Sequence, residues 1–115
     1  MQQLLASGAD PNIPDDFGNM LLVIVCSQYN PKALQIAEIL LNAGADPNLP
    51  HRNGVTPLMA ACLSRDILLA DVLLEFGADP LKPDKNHRTA FDIIYKPGYP
   101  FDIQIEMLKI FAEYV

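Results

Sequence analysis

The chain has 115 residues, enough for one domain, and its 8 basic and 14 acidic side chains give a formal charge of −6. That balance argues against sequence-independent nucleic-acid binding, which needs a basic face to displace counterions. Half the residues are hydrophobic, yet the longest strictly apolar run, Met20 to Cys26, is seven residues, against the roughly 20 that a membrane span needs.

Met1-Gln2-Gln3-Leu4-Leu5 has neither the basic start nor the apolar stretch of a signal peptide. Two cysteines make no disulfide scaffold and fit a reducing compartment. Gly8-Ala9-Asp10-Pro11 then opens a series. The same four residues return at 44–47 and 77–80, offsets of 36 and 33. Other landmarks keep this register: Leu4-Leu5 with Leu40-Leu41 and Leu73-Leu74, Pro14 with Pro50 and Pro83, Leu22 with Leu58 and Phe91. Gly18 and Gly54 match His87. Such a period marks stacked repeats, and it divides one domain into a tail at 1–11 and units at 12–47, 48–80 and 81–115.

Residues 1–7 read as the last turns of an outer helix whose inner partner is missing. They point to a segment of a longer protein; the alternative is a native start whose open face another chain covers. In the first full unit, Met20-Leu21-Leu22-Val23-Ile24-Val25 taken alone resembles a buried strand. The repeat register requires a helix there, one without a capping side chain. The second unit is clearer. Thr56 is an expected N-cap and Pro57 sits at the first helical position, where its missing N–H costs nothing. An inner helix is expected over Pro57–Leu63, and an outer helix opened by Asp66 and ending near Phe76. Gly77 closes it with the positive φ wanted past the last turn. Asp-Pro-x-x-Pro, at Asp10, Asp46 and Asp79, excludes helix and stiffens each loop. The last unit has Thr89-Ala90-Phe91-Asp92, the connector Lys96-Pro97-Gly98-Tyr99-Pro100 and a longer helix over Phe101 to Tyr114. That helix carries Asp102, Glu106, Lys109 and Glu113, as a polar-faced terminal element should.

Gly54-Val55-Thr56-Pro57-Leu58-Met59-Ala60-Ala61, followed by Asp71-Val72-Leu73-Leu74-Glu75-Phe76-Gly77-Ala78-Asp79, resembles the ankyrin repeat. The first stretch is similar to that family's Thr-Pro-Leu-His-x-Ala element, with Met59 in the histidine slot. The second is similar to the end of its outer helix. The resemblance spans nearly the whole chain and is specific to the family, not to a member. It implies an all-α solenoid of stacked helix-turn-helix repeats with extended, β-turn loops. It also implies a non-catalytic function: binding a partner protein through a concave surface of turn tips and inner-helix edges. Carried over by register, the tips are Asp16, Phe17 and Asn19, then Arg52, Asn53 and Val55, then Lys85, Asn86 and Arg88. The helix edges give Ser27 and Gln28, then Leu63 and Ser64. Asp15 and Asp16 give the first loop a formal charge of −2, Arg52 gives the second +1, and Lys82, Lys85 and Arg88 against Asp84 give the third +2. A groove graded in this way orients a ligand with its acidic end toward the last unit. Turn tips also carry charge merely because they are wet, and that alternative stays open here.

Other functions follow less directly. The chain is alternatively a substrate-recruitment or regulatory segment of a larger multidomain enzyme or effector. A monomer is expected, with self-association through Leu4, Leu5 and the first unit's open face as the rival. The resemblance fits an intracellular, cytoplasmic setting, with the nucleus or a host-cell cytosol left open.

The residues offer little chemistry. Cys26 and Cys62 share one repeat position on neighbouring inner helices, about 8–10 Å apart. That is too far for a disulfide's Cα atoms at about 4.4–6.8 Å, so buried free thiols are expected. His51 and His87 lack zinc-site spacing, and His87 reads as a turn residue of positive φ. Asp15, Asp16 and Asp84 are turn acids with unshifted pKa values expected. Gly18 and Gly54 are isolated and make no phosphate loop. No catalytic residue, cofactor or metal is assigned.

Overall fold

The computed structural model describes residues 10–28 and 30–114. Among them are six helices and no strand: α1 (Leu21–Ser27), α2 (Ala33–Asn42), α3 (Pro57–Leu63), α4 (Ile67–Glu75), α5 (Ala90–Ile94) and α6 (Phe101–Tyr114). The short helices α1, α3 and α5 pack side by side in one row, and α2, α4 and α6 form a second row against them.

The apolar run is helical from Leu21 onward, with Met20 as an extended N-cap. The Ile24 N–H donates to the Met20 carbonyl at 3.0 Å, and the helix buries Leu22, Val23, Val25 and Cys26. Its branched residues suit a buried surface in either conformation, so tertiary packing decides. No side chain caps α1. Instead the Met20 N–H donates to Nδ1 of His51, 3.0 Å away in the next turn, which leaves a neutral ring's proton on Nε2.

The central helix α3 has its first six residues, Pro57 to Cys62, buried between its neighbours. The Thr56 hydroxyl accepts from the Met59 N–H at 3.2 Å, and the Asp66 carboxylate accepts from Leu69 at 3.1 Å, so both expected N-caps form. Thr89 and Asp92 form a capping box, in which the Thr89 N–H donates to Asp92 Oδ2 at 2.8 Å. Cys26 and Cys62 are buried free thiols, and burial pushes both up to about 12.

The outer helices end alike. Gly44 and Gly77 have φ of +100° and +98°. The N–H groups of Gly44 and Ala45 donate to the Leu41 and Leu40 carbonyls, and those of Gly77 and Ala78 to Leu74 and Leu73. This pair of bonds is the Schellman closure. Helix α3 ends with the same two bonds, from Arg65 to Cys62 and from Asp66 to Ala61. Here the left-handed residue is Arg65, φ 60°, where a side chain costs about 1 kcal/mol relative to glycine.

Polar side chains tie each loop to the loop that follows and each inner helix to its neighbour. Asn12 donates to the Gly44 carbonyl at 3.0 Å and accepts from the Asp46 N–H at 2.6 Å. Asn48 repeats this with Gly77 at 3.0 Å and Asp79 at 2.7 Å. At the other end of the inner helices, Ser64 Oγ donates to the Cys26 carbonyl at 2.9 Å, and Tyr99 Oη donates to the Cys62 carbonyl at 2.6 Å. The last helix buries Met107 and Phe111, the latter edge-on to Phe91 at a centroid distance of 5.0 Å. Asp102, Glu106, Lys109 and Glu113 of the same helix are exposed, so the terminal element is polar on its far side. The expected helix tail at residues 1–7, with Leu4 and Leu5, lies outside the described residues.

Candidate functional site

Three turns of common design lead into the inner helices. Asp15 Oδ1 accepts from the Phe17 and Asn19 N–H groups at 2.9 and 2.8 Å, and its Oδ2 accepts from Asn19 Nδ2 at 2.9 Å. Asp84 Oδ1 accepts from Asn86 and Arg88 at 2.8 and 2.9 Å, and Oδ2 pairs with Arg88 Nε at 3.2 Å. His51 occupies the same register in the middle turn, where its backbone N–H donates to the Val55 carbonyl at 2.8 Å.

For Asp15 and Asp84 these bonds correct the expectation of an unshifted pKa. The Asn19 N–H, its side-chain amide and the Phe17 N–H hold Asp15 below its ordinary value, against a smaller opposing effect of burial. The Arg88 N–H first, then the Asn86 N–H and the Arg88 charge, do the same for Asp84. A carboxylate ringed by donors favours its charged form.

The turns touch one another. A Cβ placed on Gly54 would lie 2.7 Å from the Lys85 backbone nitrogen. Gly54 also has φ +79°, so this position takes glycine for two separate reasons. His87 holds the matching slot in the last turn at φ 64°, as expected for a turn residue.

The predicted surface residues divide into two groups. Asp16, Phe17, Arg52, Asn53, Lys85, Asn86 and Arg88 stand exposed at the tips, with Phe17 at 74%. Gln28 and Leu63 are exposed at the far ends of α1 and α3, Leu63 at 58%. The other four are engaged within the fold. Asn19 is tied to Asp15. Val55 packs against the core. The Ser27 hydroxyl donates to the Ile24 carbonyl at 2.9 Å, and Ser64 lies within bonding distance of the Cys26, Ala60 and Ala61 carbonyls. Small polar residues at helix ends turn to nearby carbonyls readily, which register alone does not show.

Two cavities open beside the connectors. One, about 420 Å³, is lined by Gln28, Pro31, Ser64, Arg65 and Leu68, among others. The second, about 240 Å³, is lined by residues including Leu63, Arg65, Ile93, Lys96 and Tyr99. Arg65 and Tyr99 were absent from the sequence-based set. The available signal was Leu63-Ser64-Arg65-Asp66: a helix end followed at once by an N-cap acid forces a left-handed residue between them. Among the described residues no three His, Cys, Asp or Glu side chains are grouped to hold a metal, and no helix is long and apolar enough to cross a membrane.

No curated protein matches the chain at a significant level. A family model described as ankyrin repeats (3 copies) matches residues 1–93. Repeats of this kind are generally protein–protein interaction modules and typically non-catalytic. With its paired helix rows and glycine-closed outer helices, the chain belongs to the ankyrin-repeat family.

Proposed function

We propose that this chain is a non-catalytic recognition module that binds a partner protein through its turn tips and the adjoining inner-helix ends. The observation that carries the reading is the contact between successive turns, where Gly54 leaves no room for a Cβ beside Lys85. Tips braced in this way lose little entropy on binding, so more of the contact energy becomes affinity. Phe17 supplies an aromatic anchor type common at interface centres. Asp16 at one end and Lys85 and Arg88 at the other supply a charge gradient that fixes ligand direction and raises the encounter rate.

The reading is tested with Arg52→Glu combined with Arg88→Glu. Both side chains are exposed, and the Asp84 pairing that Arg88→Glu breaks lies in a turn outside the helices, so far-ultraviolet circular dichroism should match that of the native chain. Proteins recovered by the immobilised native chain from a cell extract should fall at least about tenfold with the double variant. Undiminished recovery removes the turn tips from the interface.

A further inference from the structure

We infer that the connector ends of the helix pairs form a second docking surface, separate from the turn tips, on which Arg65 receives an acidic peptide segment of a partner protein with apolar residues beside the acid. Arg65 lines both connector cavities and so is within reach of a ligand that spans them. Its guanidinium lies 5.9 Å from the centroid of the Tyr99 ring, and the Tyr99 hydroxyl is anchored on the Cys62 carbonyl at 2.6 Å. The ring gives the cation a weakly favoured resting place, and a planar guanidinium suits a carboxylate.

The backbone points the same way. Arg65 occupies a left-handed position, φ 60°, that glycine fills at the ends of α2 and α4. A side chain kept at a strained position is a reason to look for a role.

Charge complementarity selects the occupant. Each connector carries one exposed cation: Lys32, Arg65 and Lys96. Among the described residues none of the three forms an ion pair; the pairs found are Arg88 with Asp84 and Lys109 with Glu106. The neighbouring acid, Asp66, engages the Leu69 N–H. The outer helices carry Glu38, Asp71, Glu75, Glu106 and Glu113, so an acidic segment is repelled there and drawn to the connectors. Leu63 and Leu68, 58% and 66% exposed, border the groove and supply apolar contacts. A free anion has no use for those leucines, whereas a peptide pairing Asp or Glu with Leu or Phe engages both.

The test uses the intact chain and a random dodecapeptide library displayed on phage. Peptides enriched on the native chain are synthesised with a fluorophore and measured by anisotropy. Enriched peptides should combine acidic with apolar residues. Their affinity should fall about tenfold with Arg65→Gly, about tenfold with Lys96→Glu, and little with the turn-tip double variant. Arg65→Gly should melt no lower than the native chain, because glycine relieves the left-handed strain; Lys96→Glu gives an independent arm at an exposed position. Amide shifts on titration should centre on Gln28, Ser64, Leu68 and Lys96. Failure to enrich acidic peptides, undiminished binding by both variants, or shifts confined to Arg52, Asn53 and Asn86 would overturn the proposal. So would stronger binding to phosphatidylserine vesicles than to the peptides, which would make the surface a lipid site. Loss of binding with the turn-tip variant alone would support the tip interface and remove this one.

Discussion

Asp15 and Asp84 each close a turn by collecting backbone N–H groups on one carboxylate. Both are held below their ordinary value in the folded chain. Their contribution is therefore present above the unfolded aspartate value and is lost as pH falls through the lower folded one. Below about pH 4 the turns should loosen before the helices do. In an acid titration followed by amide exchange, Phe17, Asn19, Asn86 and Arg88 should lose protection while Leu40 and Leu73 keep theirs; simultaneous loss would disprove a local effect. The middle turn carries histidine at this register, and its ring reaches back to Met20 instead. Repeat alignment revealed that register. It did not reveal the bond, because a partner 31 residues away depends on how two units stack.

Helix α3 shows how much of an element is legible locally. Pro57, Thr56 and Asp66 state its start and the start of α4, and the structure uses each as its chemistry suggests. Helix α1 has no such punctuation and buries four of its residues, so its local pattern is equally that of a strand. Only comparison with the later units identifies it. The two kinds of glycine differ as sharply. Gly77 has nothing within 4 Å of an added Cβ, so Gly77→Ala meets only the left-handed penalty, about 1 kcal/mol. Gly54→Ala adds a clash with the Lys85 and Asp84 backbone, raising the cost to about 3 kcal/mol. Urea unfolding of the two variants side by side checks this; equal losses would mean that the turns do not press on each other. Of the thirteen proposed surface residues, the charged and aromatic tips were legible as exposed positions in the turns. The engagement of Asn19, Ser27, Val55 and Ser64 within the fold was not legible, since it consists of short hydrogen bonds or packing contacts that periodicity does not encode.

Across the molecule, the array holds together through its shared core, through side chains that cross between units and through asparagines that tie successive loops. Asn48 bonds to two backbone groups of the following loop region. Asn48→Ala should cost about 1.5 kcal/mol and loosen the tie between the two loops that flank the middle helix pair. In denaturant, the first and last helix pairs should then unfold at separate midpoints, read through amides of Leu40 and Met107; a single coincident transition would show that the apolar contacts alone suffice for cooperativity. Repeat architecture was the most legible scale, because Gly-Ala-Asp-Pro recurs at fixed offsets whatever each unit packs against.

The asparagine stitch also gives the stack a grain. Asn12 and Asn48 each clasp the loop beyond their own helix pair, but the third residue in that register is Leu81, 57% exposed, which has no amide to clasp with. In the last turn His87 stands at the register where Gly54 leaves clearance for the turn that follows it. A copy of residues 48–80 spliced between positions 47 and 48 would find a clasp and a gap waiting on both sides. The same copy joined behind the last helix would find neither, so lengthening this scaffold is a matter of insertion and not of extension.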